Sequence, residues 1–483
     1  MSSYQKFTKN VFIVGATYAM GALSGMVLLP VITKLLGPKD YGVWVQLKGT
    51  INLIIPFILL GLPSAIVRFL AAEKNKEKIR EGVYSVLFFV FFISLAAALF
   101  LTIFSEPIAD FFQTSPVLVK IISLIIILEC LNLVIIDALV AFQELKKYSL
   151  LSIFQTIGEI LFVIYSILFG YGLLGAVLSL VFIRLAVFSI LFIYIFKKIG
   201  IKVPNFSPMK KYLAFSLPIL SYVISYWVVA SSDRYLINLF FGVVFVGYYA
   251  SAYAIGSIIN FFIYPLTFVL SSVLPKLFDE KRMDETKNLL KYSVKYFLSI
   301  TIPAAFGLSV LSHQLLSIFS TREIADNAYF VTPFVAASIL LYGLSNFFGN
   351  NLVLAKKTKV TGVIWAFSAI LNLVLNLIFI PLFGIVAAAF TTFLAYLASF
   401  LLIRHFAFKE FRFEIDWQFV TKSVIASILM VLFILWFDPI GFSKTMQAIL
   451  ISVAIYGILI LLFKGINKKE VYFFIDSIKG SKI

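Results

Sequence analysis

The segments LLGPKDYGVWVQLKGTINLIIPF (residues 35–57) and LFFGVVFVGYYASAYAIGSIINFFIYPL (residues 239–266) are two versions of one pattern. Gly37 matches Gly242 and Gly42 matches Gly247, both at an offset of 205 residues. At the same offset the charged stretch EKNKEKIREG (73–82) meets FDEKRMDETK (278–287). Further on, FQELKKYS (142–149) parallels VLAKKTKV (353–360), and GYGLLGAVLS (170–179) parallels LFGIVAAAFT (382–391). A unit of this length, repeated in order, sets the architecture before any single motif is read.

The solvent of that unit follows from composition. Of 483 residues, 61% are hydrophobic and 13% charged, with a mean hydropathy of +1.03. Soluble domains average about 45–50% apolar and about 25% charged. So much apolar surface requires lipid. A hydrocarbon layer of roughly 30 Å needs about 20 helical residues. That window predicts fourteen spans, at about 11–35, 43–70, 83–104, 117–141, 149–169, 173–196, 213–240, 246–274, 294–319, 329–354, 361–382, 384–406, 418–437 and 445–464. The repeat unit is therefore six spans, and an even number inserts both copies the same way up. Parallel repeats related by an axis along the membrane normal are a transporter architecture. The predicted fold is an all-α polytopic membrane protein of about 14 transmembrane helices. Two parallel six-helix repeats surround a central cavity, with two appended C-terminal helices. The boundaries are 1–196 and 213–406 for the lobes, 197–212 for a linker on the cytoplasmic side, and 407–483 for the extra helices and tail. The stretch 276–293 reads as an amphipathic surface helix.

A net charge of +17 would suggest nucleic acid in a soluble protein. Topology accounts for it instead. The N-terminus, the loops after even-numbered spans and the tail hold 32 of the 40 Lys and Arg, against five on the opposite side. The positive-inside rule then places both termini in the cytoplasm of a cell-membrane protein. The loops' partner is anionic inner-leaflet lipid, and no nucleic acid is required. The apolar run from about Val11 to Leu36 is too long for a cleavable signal and reads as a retained first span. Cys130 is the sole cysteine, which excludes an intrachain disulfide, and His313 and His405 lie far apart, so no metal or cofactor is expected. There is no GxxxxGK[ST] loop for direct ATP drive. The outer turns FGYG and PLFG leave no room for a catalytic domain. Prolines concentrate in spans 1, 2, 7 and 8, at Pro30, Pro56, Pro63, Pro218, Pro265 and Pro275, and predict bends there.

Charges inside spans are costly, roughly 2.5–3.5 kcal/mol on insertion scales, and mark cavities or partners. Eight stand out: Lys48, Arg68, Glu129, Asp137, Glu159, Arg184, Asp233 and Arg234. Glu159 lies eleven residues before Gly170 and Arg184 twelve after Gly172. At about 1.5 Å per residue both sit at one depth below the same tight turn and can meet. They are either a structural ion pair or a cation-coupling carboxylate held by its arginine. Glu129 and Asp137 could each carry H+ or Na+. Arg68 is either an inner-headgroup anchor or an anion contact. Lys48, near the outer interface, reads first as a snorkelling side chain and also counts among the candidate substrate contacts. Ser221, Tyr222, Ser225, Tyr226, Ser232 and Asp233 lie along one broad face of span 7, with Arg234 and Asn238 beside it, which reads as either a water-filled cavity wall or an interhelical structural pairing. Asp233 and Arg234 are adjacent on a helix, so their side chains diverge by about 100° and each needs another partner or water.

LLGPKDYGVW followed by GLPSAIVRFLA resembles the start of polysaccharide biosynthesis membrane proteins. SSDRYLINLFFGVVFVGYYASAY resembles their span-7-to-8 segment, and NLVLNLIFIPLFGIVAAAFTTFLAY (372–396) their span-11-to-12 segment. The family is that of the Wzx-type oligosaccharide-lipid flippases, in the multidrug/oligosaccharidyl-lipid/polysaccharide exporter superfamily. The resemblance covers roughly residues 1–410. It implies a flippase, not an enzyme, that moves a polyprenyl-(pyro)phosphate-linked oligosaccharide from inner to outer leaflet by alternating access. Transport would be cation-coupled and would serve surface polysaccharide biosynthesis, with possible contact to polysaccharide assembly enzymes. It also implies that Arg68 and Arg234, which match family motif positions, meet the pyrophosphate. The alternatives are a multidrug–cation antiporter of the same superfamily and a membrane polysaccharide polymerase or ligase. The first predicts a cavity dominated by carboxylates, and the second a long outer loop.

Overall fold

Each apolar run folds as a helix because a backbone in hydrocarbon must satisfy its own N–H and C=O groups. The computed structural model describes residues 20, 21 and 23–465. The start of the first expected span and the expected cytoplasmic tail lie outside the described residues. Among the described residues the regular structure is helical. The first helices are α1 (Leu23–Leu35), α2 (Gly37–Leu59), α3 (Leu62–Leu70) and α4 (Lys76–Ile103). They are followed by α5 (Ser105–Phe111), α6 (Pro116–Ala141), α7 (Leu145–Leu168), α8 (Gly172–Ile199), α9 (Met209–Phe241) and α10 (Val243–Gly256). The remainder are α11 (Asn260–Asp279), α12 (Met283–Val310), α13 (Ser312–Phe319), α14 (Arg322–Ala328), α15 (Val331–Leu354), α16 (Thr358–Glu410), α17 (Trp417–Phe437) and α18 (Gly441–Leu462). Among the described residues, eleven helices are long and apolar enough to cross a membrane, or up to twelve with one bent pair. The chain is a multi-pass membrane protein.

Starts and breaks have local causes. The Asn75 side chain accepts the Glu77 and Lys78 N–H groups and caps α4. Ser115 caps α6, with Pro116 in the first turn. The expected span 43–70 is two helices, because Leu60 and Gly61 are both left-handed and end α2. The expected surface helix 276–293 is corrected too: the chain turns at 280–282, and its second half is the first turns of α12, which continues to Val310. Further breaks fall in the seventh and eighth expected spans, the latter ahead of Pro265. A 3-10 turn, Ser257–Ile259, separates α10 from α11, and α9 bends by 44° between Met209–Leu217 and Leu220–Phe241. In α16, Gly384 (φ 69°, ψ −154°) leaves the helical region. The side chains of Asn372 and Thr392 then touch, as do those of Asn376 and Thr391, so the chain folds back on itself there. An unbroken helix would hold Asn372 and Thr392 about 30 Å apart.

Two compact units emerge, Met1–Ala254 with Gly362–Ala395, and Ile255–Thr361 with Tyr396–Ile483. In the first, α2 and α10 meet at the glycines that the offset of 205 residues matches. A Cβ on Gly42 would overlap the Val243 carbonyl oxygen, and one on Gly247 would overlap the Pro38 carbonyl oxygen. Val243 stands at the repeat offset from Pro38, so the contact is reciprocal: glycine of one copy on the carbonyl of the other. Small residues permit such close helix approach in lipid. In the second unit, aromatic rings fill the core. Phe348 stacks among Phe400, Phe408 and Phe413, with ring centroids 5.0–5.6 Å apart.

Candidate functional site

Four of the eight charges form one chain of contacts in the first unit. Arg184 on α8 places Nε 2.6 Å from Glu129 Oε2 on α6, and Nη2 3.5 Å from Glu159 Oε2 on α7. Lys48 on α2 closes the series on Glu159 Oε1. The expectation that Lys48 snorkels outward is thereby corrected: a buried carboxylate holds it, which satisfies both groups better than lipid would. Signs alternate along the series and the net charge is zero. Gln155 donates to Glu129 (3.4 Å), and Asn132 donates to the Arg184 carbonyl oxygen (3.0 Å). Side-chain exposure falls from 32% at Lys48 to 9% at Glu159 and 7% at Arg184, so the lysine is the open end of the quartet. The meeting of Glu159 and Arg184 follows the turn arithmetic. Glu129 and Lys48 join through α6 and α2, whose position beside that turn no local spacing reveals.

The second cluster surrounds the adjacent pair on α9. Asp233 has no exposed surface and takes the Tyr249 hydroxyl on Oδ2. Its Oδ1 accepts the Arg234 N–H at 2.8 Å. Arg234 points elsewhere, as divergence on a helix requires. Its Nη1 donates to the Ala230 carbonyl oxygen (2.8 Å) and its guanidinium lies 4.5 Å from the Tyr253 ring centre. Only a loose approach of 3.7 Å links the two charges. Gln46 donates to the Arg234 carbonyl oxygen at 3.2 Å, and the hydroxyls of Thr50 and Tyr235 are 2.9 Å apart. Here α2, α9 and α10 meet, beside the paired glycines. Tyr249 and Tyr253 are four residues apart within the repeated segment, a spacing that places both on one helical face.

A third polar group lies on the α16 hairpin. Asn372, Asn376, Thr391 and Thr392 are fully buried and bonded to one another. Ser232, next to Asp233, reaches Asn372 Oδ1 at 3.5 Å. The asparagines sit before Gly384 and the threonines after it, so the reversal of the chain at the PLFG turn brings them together.

The remaining two charges stand apart. Arg68, in the last turn of α3, is exposed and Asp137 on α6 is half-buried. Neither has an ion-pair partner among the described residues. Arg68 therefore joins neither cluster.

Known proteins bear on this arrangement. A family model described as polysaccharide biosynthesis protein matches residues 7–279. The chain belongs to that family. A second model, MatE, matches residues 218–378 and sets the family within the exporter superfamily that the sequence resembles. Among relatives of this polysaccharide biosynthesis protein is the probable low-salt glycan biosynthesis flippase Agl15 of Haloferax volcanii. It is 25% identical over 202 residues, 41% of this chain and 43% of that protein. The chain thus matches less than half the length of that relative. A membrane protein of Methanocaldococcus jannaschii, uncharacterised, is 23% identical over 480 residues, 90% of each chain. Among solved structures, the lipid II flippase MurJ in an inward closed conformation superposes with a TM-score of 0.73. It shares 17% identity and covers 92% of this chain and 97% of its own. An inward-facing multidrug resistance MATE transporter gives 0.69, with 14% identity over 80% of this chain and 94% of its own. These two show the fold.

Proposed function

We propose that this membrane protein is a flippase that carries a polyprenyl-(pyro)phosphate-linked oligosaccharide from the inner to the outer leaflet by alternating access. Both termini are cytoplasmic in this reading, the spans number fourteen, and the two six-helix lobes are 1–196 and 213–406. The relatives named for flippase activity support the substrate class. The physical need is plain, since a charged sugar-phosphate head cannot cross hydrocarbon without a polar path. The observation that carries the reading is the concentration of polar and charged side chains in one unit, on α2, α6, α7, α8, α9 and α16.

Roles divide by exposure and partner. Arg68, exposed and unpaired, receives the phosphate at the cytoplasmic side, and Arg234 receives it deeper. Lys48, the open end of the quartet, exchanges Glu159 for substrate phosphate. That exchange leaves Glu159 to Arg184 and ties substrate binding to the ion network through Glu129. Asp233, with the amide and hydroxyl oxygens of the α16 hairpin, carries the coupling H+ or Na+, and Asp137 is the second carboxylate on that route. The multidrug antiporter reading is the alternative that MatE similarity favours. It predicts carboxylates dominating the cavity and no need for arginine, and the arginines here weigh against it.

The test uses vesicles containing the purified protein and a fluorescent polyprenyl-pyrophosphate sugar. Wild type moves the lipid outward. Arg234→Ala and Arg68→Ala, each shown to fold and insert, slow it at least tenfold. Wild type that exports organic cations against a proton or sodium gradient and leaves the lipid in place would replace this reading with the antiporter.

A further inference from the structure

At the end of α16, three cationic side chains and a histidine line one cleft. Arg404, His405, Lys409 and Arg412 surround about 460 Å³, with Leu401 and Phe408 completing the wall. The three carboxylates that follow in the sequence are each engaged by a cation from elsewhere. Glu410 takes Lys357 (2.7 Å), Glu414 takes Lys291 (2.6 Å) and Asp416 takes Lys295 (3.0 Å). Among the described residues none of the four cleft side chains has an ion-pair partner. The Arg404 Nε is shielded from solvent and lacks a hydrogen-bond acceptor. Its guanidinium lies against the Phe408 ring, 5.5 Å from the centre, which holds it in place at the cleft wall.

The depth of the cleft is set by its neighbours. Leu401 is 50% exposed and ends the apolar, outward face of α16, where lipid tails lie. Trp417 is 61% exposed at the start of α17, as an interfacial tryptophan is. The cleft therefore sits at headgroup level, open to the bilayer. A helix C-terminus carries about half a negative charge and repels an anion on its own. Three permanent cations, joined by His405 when it is protonated, reverse that sign.

We propose that this cleft binds the phosphate headgroup of an anionic membrane phospholipid, with the acyl chains along Leu401. Arginine and lysine at one interfacial site select a phosphodiester that bears net negative charge over a zwitterionic one. The site is independent of the transported substrate and stands whether or not the flippase reading does.

Native mass spectrometry of the full chain, delipidated in detergent, tests it. Phosphatidylglycerol and phosphatidylcholine are titrated separately. Wild type retains phosphatidylglycerol and releases phosphatidylcholine. The variant Arg404→Gln/Lys409→Gln/Arg412→Gln weakens phosphatidylglycerol binding roughly a hundredfold, about fivefold per charge. Arg412→Gln alone, in the extended segment beyond α16, gives the fivefold loss and serves if the triple variant misfolds. The variant Lys74→Gln/Lys76→Gln/Lys78→Gln removes as much exposed charge elsewhere and leaves binding unchanged. Equal retention by the cleft variants overturns the proposal. So does displacement of the lipid by millimolar inorganic phosphate, which would make the cleft a soluble-anion site. Preferential displacement by a polyprenyl diphosphate would make it a substrate site instead.

Discussion

The two compact units treat charge in opposite ways. In the second, the stretches 255–275, 296–312, 327–355, 423–437 and 445–463 contain no charged residue at all. Three of its ion pairs, Lys291–Glu414, Lys295–Asp416 and Lys357–Glu410, tie α12 and the start of α16 to the end of α16 and the link between α16 and α17, and of these cations only Lys295 is buried within a helix. The first unit holds its charges mid-helix, as a balanced quartet and as the Asp233–Arg234 cluster. A mid-membrane charge is destabilising unless partnered. Among the described residues these paired mid-helix charges gather in the first unit.

That contrast breaks most sharply at Arg184. Arg184→Gln leaves Glu129 and Glu159 facing each other without their shared cation. Loss of one member of a buried ion pair costs about 3–5 kcal/mol. A large fall in the unfolding midpoint in detergent is expected, partly restored by adding Glu129→Gln. An unchanged midpoint would show that the quartet does not hold α6, α7 and α8 together.

Next in size is the glycine crossing. Gly42→Ala and Gly247→Ala push a methyl group into a backbone carbonyl of the other repeat, at about 1–3 kcal/mol or more. Because the contact is reciprocal, both should destabilise alike. Gly349→Ala in α15, where a Cβ meets nothing within 4 Å, should be neutral or stabilise by up to about 1 kcal/mol. Thermal unfolding of the three variants side by side checks the difference. Tyr249→Phe follows. It removes the hydroxyl that donates to fully buried Asp233, at about 1–3 kcal/mol. Unchanged stability would mean that the Asp233 carboxyl is satisfied without the tyrosine.

The smallest effect belongs to two carboxylates in the link between α16 and α17, Glu414 and Asp416. The Lys291 ammonium beside Glu414 holds its carboxyl below the ordinary value of 4.5. Burial pushes the Asp416 carboxyl up, but the Phe419 N–H and Lys295 outweigh it and leave the group below 3.8. A carboxylate depressed in the folded state stabilises above its unfolded value and loses that contribution as pH falls through the folded one. Stability should thus decline slightly below about pH 4.5 from these two groups. Lys291→Gln should flatten that decline in unfolding curves taken from pH 6 to pH 3.

Much of this was legible in the residues. The repeat offset that aligns Gly42 with Gly247 also names the two glycines that touch. The FGYG turn fixes the depth of Glu159 and Arg184, because rise per residue is constant on either side of a tight turn. Local order could not supply the third dimension. Lys48 lies 111 residues from Glu159, and Glu129 lies 55 from Arg184. Only packing of α2 and α6 against the α7–α8 hairpin brings them into contact. The Asn372–Thr392 group passed unremarked for another reason: neutral amides and hydroxyls leave hydropathy high, so only their burial and mutual bonding expose them.

By itself the sequence determined the solvent, the helices and the duplication, since apolar content, span length and repeat offset are properties of the chain in order. It also determined which charges are out of place, because their cost in hydrocarbon depends on residue type and depth alone. Tertiary structure decided which of those charges neutralise one another, which stand alone, and where three cations and a histidine are left facing a cleft. Coulomb attraction and hydrogen bonding act over a few ångströms in space, and distance along the chain does not report that spacing.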